Sequence, residues 1–316
     1  MAARKQTKKR TSRRVIRNKR KNYSKANYRK WKYLTALILI FALVVYLMTN
    51  NRFWVSGNKL TLVTTQDSDV HVVVYDTEIE KITTIVIPGD TLVDVPRSLG
   101  SMRIKNVWQL GENEGIDGSL LAETVTKNFR IPVVVWAEEK ANAFSTGNYI
   151  SIVGAAFVPY KTNMNFADRF HLALFSIGVK DFKKEAIDIG NSAYLKEEQL
   201  PDGNVGYVIT GKVPKSISIL ASDNAFAKEG VRVAIYDGTN IPGYAEQVGM
   251  IIEAMGGKVV SVNKVDHLDD CTVEGKNEVI RKRLSMIFSC TGKSRGVLKG
   301  NHDVEFTIGE AFYSRF

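Results

Sequence analysis

A basic N-terminal arm that runs directly into an apolar segment constrains this chain more than any other feature. The first 33 residues contain fifteen Lys or Arg and no Asp or Glu, and residues 33–51 are all uncharged. Nineteen helical residues rise about 28 Å, close to the thickness of a bilayer core. Because basic residues stay on the cytoplasmic side, the sequence predicts a cytoplasmic tail over 1–33, a transmembrane anchor over 34–50 and an extracytoplasmic remainder.

Two alternatives to the anchor fit the same residues less well. A cleaved signal peptide also has a basic start and an apolar stretch, but its basic region is usually far shorter, and no small-x-small cleavage site follows Met48. A buried core helix would have to follow a basic arm and would lack a polar face of its own. The uncleaved anchor is favoured, which predicts a single-pass protein of the cell membrane with a cytoplasmic N-terminus.

Net charge divides the chain at the same place. The whole chain carries +11, but removing the fifteen basic residues of the arm leaves 29 basic against 33 acidic residues, a balance of −4. The arm is predicted to contact anionic membrane lipid. Because the folded part is mildly acidic, no specific nucleic-acid partner is expected, and only sequence-independent contact of the arm would follow from charge.

The remainder begins with a predicted α/β domain over 57–225. Runs rich in β-branched and apolar residues are typical of strands that are buried on both faces. Asn165 predicts a helix start, because its side chain can accept from the free N–H groups of a first turn. Strands are predicted at 59–65, 70–76, 82–87 and 131–136, and helices at 120–128 and 166–177, the last with Phe166, Phe170, Leu174 and Ile177 on one face.

A second α/β domain is predicted over 230–316, after a polar stretch that ends in Gly230. Strands and helices alternate again in this segment, which is typical of a small α/β sheet. The predicted fold class is therefore α/β, with an N-terminal transmembrane helix followed by two extracytoplasmic α/β domains. The predicted elements are strand 231–236, helix 244–255, strands 258–262 and 271–273, helix 278–288 and strand 303–308.

Cys271 and Cys290 are the two cysteines of the chain. Outside the cell such a pair can form a disulfide, and two small buried hydrophobic side chains would fit the sequence equally well. Spacing alone does not show whether the two α-carbons come close, so both interpretations stay open.

The start of the second predicted domain carries a recognisable motif. Val231-Arg-Val-Ala-Ile-Tyr-Asp-Gly-Thr-Asn-Ile-Pro-Gly-Tyr-Ala245 resembles the opening of the C-terminal domain of the bacterial LytR/CpsA/Psr family. The later Gly256-Gly-Lys-Val-Val260 and Phe306-Thr-Ile-Gly-Glu-Ala-Phe312 are similar to its other two motifs. Asp237 stands where Asn is usual. As a physical element, the segment is a turn that leads into a helix.

The first predicted domain resembles the catalytic domain of the same family, in reduced form. Three stretches carry the resemblance: Asp67-Ser-Asp69, Ile87-Pro-Gly-Asp90-Thr91 and Arg103-Ile-Lys-Asn-Val-Trp-Gln-Leu-Gly111. The resemblance implies a reaction that moves a glycan from a polyprenyl-pyrophosphate carrier onto peptidoglycan. It also implies arginines that grip the pyrophosphate and acidic residues that hold a magnesium ion.

Several positions depart from the family pattern. Asp67 replaces the first arginine, Gly89 replaces the second, and Lys105 replaces the usual Asn. The late Arg-x-x-Asp-x-x-Arg-x-x-Arg-Gln stretch of the family is not found in the sequence. Phosphoryl chemistry needs such cations to offset the developing charge, so these losses argue against ordinary transferase activity.

The residues that remain define a candidate site. Asp69 and Asp90 keep positions that the resemblance assigns to Mg²⁺, although solvent-exposed caps of strand ends are the alternative. Arg97, Arg103 and Lys105 offer positive charge at other positions. The candidates are Asp90, Arg97, Arg103 and Lys105 for catalysis, Arg103 and Lys105 for substrate binding, and Asp69 and Asp90 for the metal.

Two functions compete at this stage. The first is a membrane-anchored cell-envelope protein that binds cell-wall glycan or a polyprenyl-linked glycan without ordinary catalysis. The second is an active Mg²⁺-dependent glycopolymer–peptidoglycan phosphotransferase whose cationic residues have moved. The loss of even one charge-stabilising group usually costs orders of magnitude in rate, which favours the first.

Overall fold

The computed structural model describes residues 31–46, 52–55, 57–211, 214–294, 298 and 300–316, and the chain divides into two compact units, 1–51 and 52–316. In the first unit, residues 31–46 form helix α1 with exposed side chains. Within these described ranges, no helix is both long and apolar enough to cross a membrane. Residues 1–30 of the predicted tail and 47–50 of the predicted anchor lie outside the description, so both stay predictions.

The second unit begins with a mixed five-stranded sheet. Its strand order is β6-β1-β2-β3-β7, in which β1, β2 and β3 pair antiparallel while β6 and β7 join the two edges in parallel. The pairs β4–β5 and β8–β9 form two separate hairpins. The strands are β1 (Lys59–Gln66), β2 (Asp69–Asp76), β3 (Lys81–Ile87), β4 (Leu92–Val95), β5 (Gly100–Arg103), β6 (Val135–Trp136), β7 (Lys184–Asp188), β8 (Leu195–Gln199) and β9 (Val205–Ile209).

Both faces of this first sheet are buried. Leu62 and Val73 belong to one hydrophobic cluster, and their neighbours Val63 and Val72 belong to another on the opposite face. The apolar runs therefore form strands of the kind that the sequence predicts. The helices around them are α2 (Val107–Asn113), α3 (Ser119–Phe129), α4 (Ala143–Thr146), α5 (Tyr149–Phe157), α6 (Phe166–Gly178), α7 (Lys215–Ala221) and α8 (Asn224–Glu229).

A second five-stranded sheet follows, with the order β11-β10-β14-β12-β13. Strand β10 pairs in parallel with β11 and β14, and β12 runs antiparallel to β14. The protein is thus of mixed α/β class, and its division into domains at residues 225–230 stays a prediction. The elements are β10 (Arg232–Asp237), α9 (Tyr244–Ala254), β11 (Lys258–Lys264), β12 (Thr272–Gly275), α10 (Glu278–Ile287), β13 (Thr291–Ser294), β14 (Val304–Ile308) and α11 (Glu310–Arg315).

The turn between β10 and α9 explains the departure at Asp237. Its buried carboxylate oxygen Oδ1 accepts from the backbone N–H and the hydroxyl of Thr239, at 2.9 and 2.6 Å. Gly243 then adopts a φ of 78°, a left-handed conformation that glycine tolerates without steric cost, directly before the helix. An aspartate closes this turn as an asparagine would, because both side chains present an acceptor two residues before the donor.

Helix α6 begins as the sequence predicts but presents its predicted apolar face outward. Asn165 accepts from the backbone N–H of Asp168, whose own carboxylate reaches back to the Asn165 N–H in a capping box. Leu172 and Ala173 pack into the core, whereas Leu174 is 53% exposed. The helical periodicity of the sequence identified an apolar stripe on α6, but a different face of the helix packs against the core.

Candidate functional site

Asp90 lies in the turn that follows β3 and holds two cations. Its oxygen Oδ1 accepts a hydrogen bond from Arg103 Nη1 and another from Lys105 Nζ at 2.7 Å. The backbone keeps the three residues together, because the Lys105 N–H donates to Gly89 O and the Ile104 N–H donates to Thr91 O. Three of the candidate residues from the sequence therefore form one cluster.

A second carboxylate completes the cluster from the β8–β9 hairpin. Arg103 donates from Nε to Asp202 Oδ2 at 3.0 Å and from Nη2 to Asp202 Oδ1 at 3.1 Å, a two-point contact that suits a planar guanidinium. Asp202 was not a sequence candidate. With Asp90, Arg103 and Lys105 it makes a group of two positive and two negative charges.

The charges in this cluster stabilise one another. Hydrogen bonds from Lys105 and then Arg103 lower the pKa of Asp90 below its ordinary value. The pKa of Asp202 is also lowered, first by the backbone N–H of Asn204 and further by Arg103. Asp90 in turn raises the pKa of Arg103. The two carboxyls therefore stay ionised at neutral pH beside the cationic side chains, and no strong excess of either charge remains.

Asp69, at the start of the neighbouring strand β2, forms a hydrogen bond with the same turn. Its oxygen Oδ1 accepts from the backbone N–H of Gly89 at 2.9 Å. A β-carbon on Gly89 would lie 1.8 Å from the carbonyl oxygen of Ser68, so the backbones touch where a side chain would begin. An arginine at position 89 would have no room in this turn, and the Asp69 side chain is hydrogen-bonded to the turn rather than free in solvent.

Arg97 is not part of the cluster. It makes a two-point ion pair with Glu123 on α3, from Nε at 3.0 Å and from Nη2 at 2.8 Å. The sequence grouped Arg97 with Arg103 as a replacement cation, but the turn between β4 and β5 directs it to the helix. Its charge is balanced there, so the structure brings together Asp90, Arg103 and Lys105 and leaves Arg97 apart.

The two residues predicted to hold magnesium, Asp69 and Asp90, already accept hydrogen bonds from protein groups. Mg²⁺ is held by oxygen ligands in near-octahedral geometry, and among the residues that the structure describes no group of three or more His, Cys, Asp or Glu is placed to hold a metal. Asp90 Oδ1 already accepts from two cationic side chains, and Asp69 Oδ1 accepts from a backbone N–H. The magnesium site at Asp69 and Asp90 stays a prediction.

Two adjoining cavities lie elsewhere, beside α3 and α9. Their volumes are about 250 and 260 Å³, and Arg130 and Met250 line both. Arg130 ends α3 with a φ of 55°, a left-handed conformation that is uncommon for a residue with a β-carbon. None of the five sequence candidates lines either cavity. No motif pointed to Arg130, whose position depends on how the helix ends.

Cys271 and Cys290 form a disulfide, with their α-carbons 5.2 Å apart. The bridge closes a loop that contains β12 and α10. The sequence left a disulfide and two buried thiols open, and in the structure the two cysteines form the disulfide.

Comparisons with known proteins give matches in structure only. No protein-family model matches the sequence, and no curated protein does. The crystal structure of B. subtilis TagV is 10% identical, with a TM-score of 0.38, over 53% of this chain and 96% of that one. Lin1025 from Listeria innocua is 12% identical, with a TM-score of 0.38, over 55% and 98%. The LytR-CPS2A-psr family protein YwtF (TagT), with bound octaprenyl pyrophosphate lipid, is 12% identical, with a TM-score of 0.36, over 54% and 90%. These similarities concern about half of this chain.

Proposed function

We propose that this chain is a membrane-anchored, extracytoplasmic protein of the cell envelope that binds cell-wall glycan, or its polyprenyl-linked precursor, without transferring it. The observation that carries the proposal is the ion pairing of Asp90 with both Arg103 and Lys105. In the family that the motifs resemble, cations at this place stabilise a pyrophosphate. Here each cation already has a carboxylate partner.

The electrostatics of the cluster favour binding over chemistry. A transferase must offer positive charge that is free to stabilise the charge developing on phosphate oxygens. To do so, Arg103 would have to leave both Asp90 and Asp202, and Lys105 would have to leave Asp90. A single mutation that removes such stabilisation typically costs a hundredfold or more in rate, on the order of 10²–10³.

The same cluster is suited to hydroxyl-rich ligands. The side chains of Asp90 and Asp202 are 46% and 48% exposed, so their remaining lone pairs face solvent. Lys105 is also accessible, at 37% exposure. A sugar with adjacent hydroxyls can donate to the carboxylates and accept from the ammonium group without breaking an ion pair.

The ligand class rests on the family resemblance of the motifs. Among the similar structures, YwtF (TagT) was solved with bound octaprenyl pyrophosphate lipid and TagT with bound LIIa-WTA. For this chain we propose a polyprenyl-linked or wall-attached glycan, with residues 57–225 as the reduced catalytic-like domain and 230–316 as a domain like the LytR C-terminal one.

Anchoring and location are part of the proposal. The uncharged run over 33–51 and the basic arm before it support a single span with the N-terminus in the cytoplasm. The bond between Cys271 and Cys290 supports an extracytoplasmic site for the folded part, since disulfides persist in oxidising compartments. Contact of the arm with anionic membrane lipid follows from the same topology.

The test uses the full chain reconstituted in lipid vesicles. The protein is incubated with Mg²⁺, a polyprenyl-pyrophosphate glycan and peptidoglycan, and both glycan binding and glycan transfer are measured. We expect binding that weakens in Asp90→Ala and is unchanged in Glu198→Ala, an exposed acid on the same hairpin as Asp202. Glycan transfer that is lost in Asp90→Ala would establish the active phosphotransferase instead.

A further inference from the structure

Helix α5 exposes an apolar face that the proposed glycan site does not use. The nine residues Tyr149–Phe157 include no charged side chain. Tyr149, Ile150, Val153 and Phe157 are 69%, 84%, 46% and 56% exposed. An isolated exposed apolar side chain is ordinary, but a contiguous set on one helix indicates a surface that meets something other than water.

The outward face of α6 extends the same surface. The ring of Phe157 lies 5.5 Å from that of Phe166 and 6.5 Å from that of Phe170, so the aromatic side chains join the two helices. Farther along α6, Leu174 is 53% exposed and Ile177 is 37% exposed. We call this surface, with the four residues of α5 named above, the α5–α6 apolar face.

Arg169 brings a positive charge to this surface. Residues 148–178 contain one acidic side chain, Asp168, and it is fully buried. The guanidinium of Arg169 lies 5.4 Å from the ring centre of Tyr160 and donates to Val158 O at 3.2 Å. Arg169 has no carboxylate partner among the described residues. A cation held among aromatic rings suits anionic headgroups, because its charge lies at the level where an interfacial helix meets them.

The start of the folded unit is fixed to the same helix. Asp168 Oδ1 accepts hydrogen bonds from three successive backbone N–H groups, those of Arg52, Phe53 and Trp54, at 2.9, 2.9 and 3.0 Å. The proposed anchor over 34–50 ends two residues before Arg52, and two extended residues span only about 7 Å. A chain that leaves the membrane at residue 50 would therefore reach α6 at once.

We propose that the α5–α6 apolar face lies against the outer surface of the lipid bilayer, with Tyr149, Ile150 and Phe157 in the headgroup region. This inference rests on the membrane anchoring of the proposed function. Attachment of the chain at Asp168, the exposed apolar side chains and the unpaired cation all favour lipid over a second copy of the protein. The bilayer contact orients the folded unit and sets the height of the Asp90 cluster above the membrane.

The experiment measures depth in the membrane with a single fluorophore. Because Cys271 and Cys290 are bonded to each other, Ile150→Cys in the full chain offers one reactive thiol for an environment-sensitive label. Val205→Cys is the matched control. Val205 is also strongly exposed, at 59%, and belongs to the β8–β9 hairpin, which packs on the opposite face of the first sheet. Vesicles contain phosphatidylcholine and phosphatidylglycerol, with or without doxyl-labelled lipid.

We expect the label at position 150 to shift to shorter wavelength and to be quenched severalfold more strongly by doxyl lipid than the label at position 205. Arg169→Gln should weaken that quenching mainly in vesicles rich in phosphatidylglycerol. Flotation of the same samples reports the anchor separately.

Protein that floats with the vesicles but keeps position 150 unquenched would overturn the bilayer contact and leave the anchoring intact. Failure to float would overturn both. A shift at position 150 that is insensitive to doxyl lipid and grows with the protein-to-lipid ratio would identify a second copy as the occupant and overturn the inference.

Discussion

Arg283 Nε lies 2.8 Å from Asp223 Oδ2, and both side chains are less than 10% exposed. Arg283 belongs to α10 beside the second sheet, and its Nη2 also donates to the carbonyl oxygen of Lys59 on β1 at 2.7 Å. Lys59 in turn donates to the carbonyl oxygen of Ile219 at 2.8 Å. A buried ionic contact thus connects the two sheets, which share one hydrophobic cluster.

Removal of this contact should destabilise the whole unit 52–316. Asp223→Ala leaves the Arg283 guanidinium buried without its partner, and breaking such a pair typically costs about 3–5 kcal/mol. It also removes the acceptor for the Ala225 N–H at the start of α8. We expect a lower urea midpoint, measured by circular dichroism of the full chain.

Asp223→Asn is the control for that experiment, because it keeps the acceptor for the Ala225 N–H and replaces only the charged oxygen that faces Arg283 with an amide NH2 group. An Asp223→Ala variant as stable as the unmodified protein would show that the pair carries no net stability.

Stability should fall in acid partly through Asp90. Its pKa is lowered in the folded protein by Lys105 and then Arg103, so its contribution is present above the unfolded pKa of about 4 and is lost as the pH falls through the lower folded value. Lys105→Met should move the pKa of Asp90 back toward its ordinary value. The measurement is a carboxyl carbon NMR titration of the unmodified protein and the variant; an unchanged Asp90 titration would contradict the pairing.

Adding a side chain at Gly89 should cost stability. In Gly89→Ala the new β-carbon would lie 1.8 Å from Ser68 O, so the turn must open, at a cost of about 2–3 kcal/mol or more. Gly154→Ala is the matched control, because no heavy atom lies within 4 Å of its added β-carbon and alanine favours the helix. Thermal unfolding of both variants decides the point. Equal melting temperatures of the two variants would show that the turn accommodates the added β-carbon at no cost in stability.

The attachment of the segment 52–54 to α6 should depend on Asp168. Asp168→Ala removes the acceptor of three backbone N–H groups, and hydrogen bonds to a charged group contribute about 1.5–3 kcal/mol each when intact. We expect trypsin to cleave after Arg52 much faster in this variant than in the unmodified protein. Gel electrophoresis measures the cleavage rate. Asp181→Asn, whose side chain is fully exposed, is the control. Equal cleavage rates in the two variants would show that Asp168 does not hold this segment.

Local sequence patterns predicted the three central strands of the first sheet, but they predicted less well the elements that surround these strands. The strands β1, β2 and β3 follow from β-branched runs, whose side chains suit a sheet covered on both faces. The predicted strand over 131–136 shortens to Val135–Trp136, because only these residues pair with β1. On α6, the cap and the apolar stripe were both identified, but periodicity does not say which side of a helix meets the core.

Only the part of the candidate site that lies on motifs close together in the sequence could be predicted. Asp90, Arg103 and Lys105 are at most fifteen residues apart, and the turn and hairpin between them bring them together. Asp202 is 99 residues from Arg103 and carries no motif of its own. Arg97 lies outside the cluster because it pairs with Glu123 on α3. No local sequence pattern shows where that helix packs.

The three hydrogen bonds from the segment at Arg52 to Asp168 also have a mechanical meaning. In the proposed topology, tension along the chain from the proposed anchor to a glycan bound by the folded unit would be applied first to Asp168 on α6. The first sheet strand begins at Lys59, beyond that point. The load would therefore pass into the helix before it could separate β1 from its neighbours, so the sheet next to the Asp90 cluster would not be the first part of the fold to bear it.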